Sequence, residues 1–272
     1  MTAAFAGVLL DRPRVMAIVN VTPDSFSDGG DRYDKTQAIG DGLRFVDRGA
    51  DFVDVGGEST RPGSAETSPD EELRRVLPVV EGLARRGAVV SIDTRRAAVA
   101  RACLDAGARI VNDVSALCDD PAMGALVAER SASLVLMHRR GVSHEKYEGA
   151  PYGDVVEDVR AFLLERARAG EAAGIDRARI ALDPGIGFGK SVAENLRLIA
   201  GVGRLAAAGY PVLVGSSRKG FIGKLTGIKM PRDRDPASVW LAVEAARRGA
   251  SIVRVHDVAA TRQALAVAAA IG

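Results

Sequence analysis

The sequence has no apolar run near the roughly 18 residues of a membrane-spanning helix, so the bilayer is excluded as its solvent. It also lacks a charge surplus. With 37 lysines and arginines against 35 acids, the net charge is +2, and nothing electrostatic points to a nucleic-acid partner. Cysteine is scarce: Cys103 falls in a helical pattern and Cys118 in a loop-like stretch, neither at metal-ligand spacing, so both read as free thiols in a reducing cytoplasm. The three histidines, His138, His144 and His256, have no zinc-site spacing. The apolar start from Ala3 to Leu10 has no basic flank and runs into Asp11, Arg12 and Pro13, which does not suit a signal peptide.

Two nucleotide-binding motifs are missing as well, although one stretch imitates both. Pro184 to Ser191 ends like a P-loop, but Pro184 stands at the place of the first glycine, and Lys190 stands where GxGxxG needs its third. The stretch therefore reads as a glycine-rich turn that lets a flat ligand approach the backbone.

What is present is a recurring phrase: a helical segment, a glycine, then a short Val/Ile-rich run ending in polar residues. It occurs at Gly49, Gly87, Gly107, Gly209 and Gly249, and more loosely at Gly174. Glycine just past a helix accepts the left-handed backbone that turns the chain into the next strand. Two further runs, Val15 to Val21 and Leu134 to His138, bring the strands to eight. Apolar strands alternating with helices form a parallel sheet covered by helices. An open doubly wound sheet is the alternative, but eight units in 272 residues close more naturally into a single-domain (β/α)8 TIM barrel spanning 1–272. Residues 5 to 12 are expected to form a short N-terminal hairpin on the barrel floor. Ser68 with Glu71, and Ser191 with Glu194, match capping boxes.

Every strand ends in polar residues: Asn20, Asp54, Asp93, Asn112, His138, Asp183, the run Ser216-Ser217-Arg218-Lys219, and Arg254 with His256. Polar βα loops and helix caps explain any one of these. Asn20, Asp93, Asn112 and Asp183 each directly follow Val, Ile or Leu within a strand, where carboxylates and amides need partners. Arg254 and His256 lie two apart and project to the same side, a pairing that suits an anion, although Arg254 could instead pair with a carboxylate.

These blocks resemble a known family. Asn20-Val21-Thr22-Pro23-Asp24-Ser25-Phe26-Ser27-Asp28-Gly29-Gly30, Asp54 to Gly63, Ser91-Ile92-Asp93-Thr94, Asn112-Asp113, Leu136-Met137-His138, Leu182 to Gly185, Ser217-Arg218-Lys219 and Arg254 to Asp257 are similar to the signatures of dihydropteroate synthases, in the same order. The resemblance implies a Mg2+-dependent, homodimeric (β/α)8 transferase of folate biosynthesis. It would condense (7,8-dihydropterin-6-yl)methyl diphosphate with 4-aminobenzoate, and sulfonamides would compete with the latter.

Carried onto this sequence, the resemblance places the pterin at Asp93, Asn112, Asp183 and Lys219, in a cavity walled by Ile18, Ile110 and Met137. The diphosphate falls to Asn20, Thr60, Arg61, Arg254 and His256, with the Asn20 oxygen also facing Mg2+. The aminobenzoate site takes Phe26, Pro62, Phe188, Ser217, Lys219 and Gly220. The partners are thus small molecules, with no nucleic acid or membrane. Asp54 and His138 receive no ligand role, and no general base is assigned. Gly220 departs from the family, which commonly has serine or arginine there. The alternatives are a pterin-dependent methyltransferase on the same barrel and a catalytically silent pterin-binding module.

Overall fold

The computed structural model describes residues 4–22, 35–59, 66–141 and 152–272. Two short strands, β1 (Ala4–Phe5) and β2 (Val8–Leu9), pair antiparallel across a turn in which Ala6 and Gly7 take φ of 50° and 82°. Positive φ at both central residues matches the right-handed twist of a tight hairpin. The expected N-terminal hairpin is therefore present.

Eight parallel strands follow: β3 (Arg14–Asn20), β4 (Phe52–Gly56), β5 (Val90–Asp93), β6 (Ile110–Asp113), β7 (Ser133–Met137), β8 (Ile180–Asp183), β9 (Leu213–Val214) and β10 (Ile252–Val255). They order as β8-β7-β6-β5-β4-β3-β10-β9. A bridge from Leu182 to Val212, with Leu182 N donating to Pro211 O at 2.9 Å, joins the two ends into a ring. The helices are α1 (Lys35–Asp47), α2 (Pro69–Ala84), α3 (Ala97–Asp105), α4 (Met123–Glu129), α5 (Val155–Ala172), α6 (Val192–Ala200), α7 (Val202–Ala206), α8 (Gly220–Thr226), α9 (Asp235–Arg247) and α10 (Val258–Ile271). No helix among the described residues is long and apolar enough to cross a membrane.

The punctuation read from sequence has a backbone cause. Gly49, Gly87, Gly107, Gly174, Gly209 and Gly249 all lie between φ 81° and 108°, so each helix-to-strand turn uses a conformation that a Cβ would strain. Ser191 and Glu194 form a complete capping box at α6. At α2 only half of one forms: Ser68 accepts from Glu71 N, while Arg74 and Arg75 hold the Glu71 carboxylate.

Inside the ring the floor is apolar. Phe5 from the hairpin, Met16, Phe52, Ile110, Val135, Ala181, Leu213 and Ile252 form one buried cluster. Phe5 and Phe52 meet edge to face, centroids 6.2 Å apart. Ile110, expected from sequence to line the pterin cavity, belongs to this lower layer, two residues before Asn112 on β6.

Candidate active site at the barrel mouth

Above the floor the same inward face becomes polar. Asp54, two residues beyond Phe52 on β4, is fully buried. Its Oδ2 accepts from Arg254 Nε at 2.6 Å and from Asn112 Nδ2 at 3.0 Å, while Arg254 Nη2 donates to Asp93 Oδ2 at 2.8 Å. Strand register builds this group, because Asn20 pairs with Gly56, Gly56 with Asp93, and Asp93 with Asn112. Gly56 keeps the space between Asn20 and Asp93 free of a side chain.

One guanidinium thus serves two carboxylates. Burial pushes the Asp93 pKa up; the Arg254 charge opposes the rise and the Asp54 charge adds to it. Asp183, buried at the end of β8, accepts from Gly185 N at 2.7 Å. Burial raises it to about 6, against that bond and the charges of Lys219 and Arg254. Carboxylates held this way favour a ligand that brings N–H donors.

The glycine-rich turn is tied down by the lysine that spoils its dinucleotide motif. Lys190 Nζ donates to His138 O at 3.2 Å, Gly185 O at 2.9 Å and Phe188 O at 3.0 Å. A Cβ on Gly185 would lie 1.8 Å from His138 O, so only glycine permits this approach. Gly187 makes room for the Lys219 stem, and Lys219 Nζ sits 3.9 Å from the Phe188 ring centroid, a cation–π contact. Lys219 and Phe188, both assigned to the aminobenzoate site from sequence, lie against each other.

At the adjoining strand ends of β9 and β10, His256 Nδ1 lies 2.9 Å from Ser217 Oγ, which also accepts from His256 N at 3.2 Å. Ser217, assigned from sequence to the aminobenzoate site, thus lies against His256, assigned from sequence to the diphosphate. Asn20 ends β3 exposed, its side chain without a hydrogen bond among the described residues. Gly220 opens α8, exposed, with nothing within 4 Å of where a Cβ would stand. Phe26, Thr60, Arg61 and Pro62 lie outside the described residues. Among those described, no group of three or more His, Cys, Asp or Glu could hold a metal.

His138 is a buried core residue, edge-on to Phe162 with centroids 5.0 Å apart, and burial lowers its pKa to about 3. Asp54, given no ligand role from sequence, is tied to two residues that were assigned to the site, Asn112 and Arg254. The available signal was its parity with Phe52: an inward carboxylate below a strand end needs a cation, and Arg254 supplies it from β10, which flanks β3 on the side away from β4.

The chain matches the family described as pterin binding enzyme over residues 16–256. It is 49% identical over 263 residues to a dihydropteroate synthase of Mycobacterium leprae, covering 94% of this chain and 93% of that protein. The structure of Xanthomonas albilineans dihydropteroate synthase with 4-aminobenzoic acid superposes with a TM-score of 0.92 at 49% identity, covering 99% of this chain and 97% of that one. The same enzyme in complex with 7,8-dihydropteroate gives 0.89 at 47% identity, covering 100% and 98%.

Proposed function

Because this chain belongs to the pterin binding enzyme family and groups with its dihydropteroate synthases, we propose that its barrel mouth joins (7,8-dihydropterin-6-yl)methyl diphosphate to 4-aminobenzoate. The observation that carries this reading is the set of three carboxylates at the mouth, with Asp54 and Asp183 buried and Asp93 partly so. Asp54, Asp93 and Asp183 sit there near the charges of Arg254 and Lys219, with two of the three pushed toward the protonated form. A pterin edge presents adjacent N–H donors, and a carboxylate accepts such a pair side by side. Asp183, Asp93 and Asn112 take the donor edge, and Lys219 takes the acceptor side. Deep in the barrel, these bonds are shielded from water and correspondingly directional.

The aminobenzoate nitrogen attacks the pterin methylene carbon as the bond from that carbon to the diphosphate oxygen breaks. The amine gives up one proton, and diphosphate leaves with the bonding electrons. An aromatic amine needs no activated base, and the electron-rich pterin spreads charge from the departing methylene. The chain's task is to steady growing negative charge on the leaving group. His256, oriented by Ser217, and Asn20 face that charge, joined by Thr60 and Arg61. Arg254 contributes through Nη1, which neither Asp54 nor Asp93 engages.

Mg2+ fits this arrangement: the ion prefers oxygen ligands and keeps several waters, so the exposed Asn20 oxygen is a sufficient protein donor. Bound with the diphosphate, it would neutralise charge on the leaving group. Phe26, Pro62, Phe188, the Lys219 stem and the start of α8 at Gly220 make up the aminobenzoate site, where sulfonamides compete. A homodimer in the cytoplasm completes the reading, and exposed Leu225, Trp240 and Val267 supply apolar surface for a partner copy. Incubation with both substrates and Mg2+ should release dihydropteroate and diphosphate in equal amounts. Folded protein that makes neither would overturn the assignment.

A further inference from the structure

Arg218, the middle residue of the Ser217-Arg218-Lys219 corner, is given no ligand contact by the reaction, yet it is the most firmly gripped residue of that corner. Its φ is +59°, a left-handed backbone that a residue with a Cβ holds only when its surroundings over-determine it. A single turn at the start of α9 does so. Arg218 N donates to Ser238 Oγ at 2.9 Å, and Arg218 O accepts from Arg234 Nη1 at 3.0 Å. The guanidinium forms a bidentate pair with Asp235, Nε to Oδ1 at 2.7 Å and Nη2 to Oδ2 at 2.6 Å.

The turn is braced in its own right. Ser238 Oγ donates to Arg234 O at 2.7 Å, and Arg234 also donates to Ile228 O at 3.0 Å and to Lys229 O. The two neighbours of Arg218 go the other way, Ser217 to His256 and Lys219 over Phe188.

We propose that Asp235, with Arg234 and Ser238, is a positioning device for the active site: by gripping Arg218 it fixes the left-handed corner that turns Ser217 and Lys219 into the barrel mouth. Asp235 and Arg218 are positioning residues, acting through side chains one residue away. The inference rests on the proposed reaction for its kinetic consequence but not for its structural one. Bidentate pairing matters because a planar fork on a planar carboxylate fixes direction as well as distance.

The test uses the full chain with Asp235→Asn and Arg218→Gly. Asp235→Asn cannot keep the charged bidentate pair. Arg218→Gly removes the guanidinium while adopting positive φ without strain, so it covers the case in which the first variant folds poorly. The chain has three histidines, so the His256 ring C–H signal can be followed by NMR without substrate. The expected result is a shifted or broadened His256 signal with an unmoved His138 signal in both variants. KM for the pterin diphosphate should rise about tenfold with a smaller change in kcat, roughly what loss of one charge-assisted contact gives. Arg218→Ala, which keeps the strain but not the grip, should be worse than Arg218→Gly. A wild-type His256 signal and wild-type KM in folded Asp235→Asn would overturn the proposal, as would lowered thermal stability with unchanged KM. If wild-type protein made no dihydropteroate while the His256 signal still responded to Asp235→Asn, the reaction would be rejected and the positioning kept.

Discussion

The two ends of the barrel are built from the same strands and follow opposite rules. On β4, Phe52 and Asp54 point into the ring two residues apart, and both are fully buried. Phe52 packs in the apolar cluster and meets the Phe5 ring edge to face, as dense packing of an interior requires. Asp54 shares one oxygen between Arg254 and Asn112, while its Oδ1 and the side-chain Oδ1 of Asn112 are buried without a hydrogen-bond partner among the described residues. The floor is complete as it stands, whereas the mouth is arranged for a ligand that is not part of the chain. Barrels divide stability and chemistry between their ends in this way, and the boundary here is one step of strand alternation.

The sharpest test exchanges the two ends. Phe52→Ala should cost about 3–5 kcal/mol of stability through the cavity it leaves. Its kcat/KM per folded molecule should fall less than about tenfold, since the cavity opens among the apolar side chains of the floor and removes no polar group of the mouth. Asp54→Asn should do the reverse, because Arg254 and Asn112 lose the charged acceptor that orients both. It should lower kcat/KM by about 100-fold, around 2.7 kcal/mol of transition-state stabilisation, with a much smaller change in denaturation midpoint. Denaturant melts and steady-state rates on both variants measure this. Comparable losses of activity in the two would erase the division.

A smaller effect concerns pH. Asp183 has a folded pKa raised to about 6 from an ordinary value near 3.8, so between those values the folded state binds more protons than the unfolded one. Its contribution to stability is therefore fully present below pH 3.8 and lost as pH rises through 6. Asp183→Asn removes that loss. The variant should be more stable than the wild type by about 1–3 kcal/mol above pH 7, with the gap closing toward pH 4, while pterin binding weakens. Melts at pH 4.5 and 8, with pterin titrations, test both halves. An Asn variant less stable than wild type at pH 8 would show that the Asp183 charge is already satisfied without ligand.

The floor and the mouth also differ in how far the sequence reveals them. Strand positions, the hairpin and the turning glycines follow from local rules, since a left-handed turn after a helix needs Gly249 or Gly107 whatever lies across the barrel. At the mouth, residue type indicated that Asp93, Asn112 and Asp183 lie in one place, because a polar residue closing an apolar strand is locally anomalous. The alternative that Arg254 pairs with a carboxylate was open to the sequence and is what the structure has, but its partners were beyond reach. That Arg254 bridges Asp54 and Asp93, 200 and 161 positions away, depends on ring closure, which no local pattern encodes. Lys190 and Asp235 were missed for another reason: a lysine aimed at carbonyls and an aspartate at the start of a helix look like ordinary surface residues until the backbone they hold is seen.

The smallest expected effect compares one substitution at the two ends. Gly220→Ser places a hydroxyl at the first position of α8, where space is open, so the side chain enters without strain. If the aminobenzoate carboxylate docks there, the hydroxyl adds one hydrogen bond to a charged acceptor. Apparent affinity for 4-aminobenzoate should then improve about two- to thirteenfold, the range that about 0.5–1.5 kcal/mol provides. Gly7→Ser, in the hairpin turn at φ 82°, forces a Cβ into a left-handed position and should cost roughly 1 kcal/mol of stability with no change in KM. Measured together by steady-state kinetics and thermal melts, the pair asks whether even an exposed glycine follows the division between the ends. An unchanged KM for 4-aminobenzoate and unchanged sulfonamide inhibition in Gly220→Ser would remove that glycine from the binding site and move the carboxylate anchor elsewhere on the mouth.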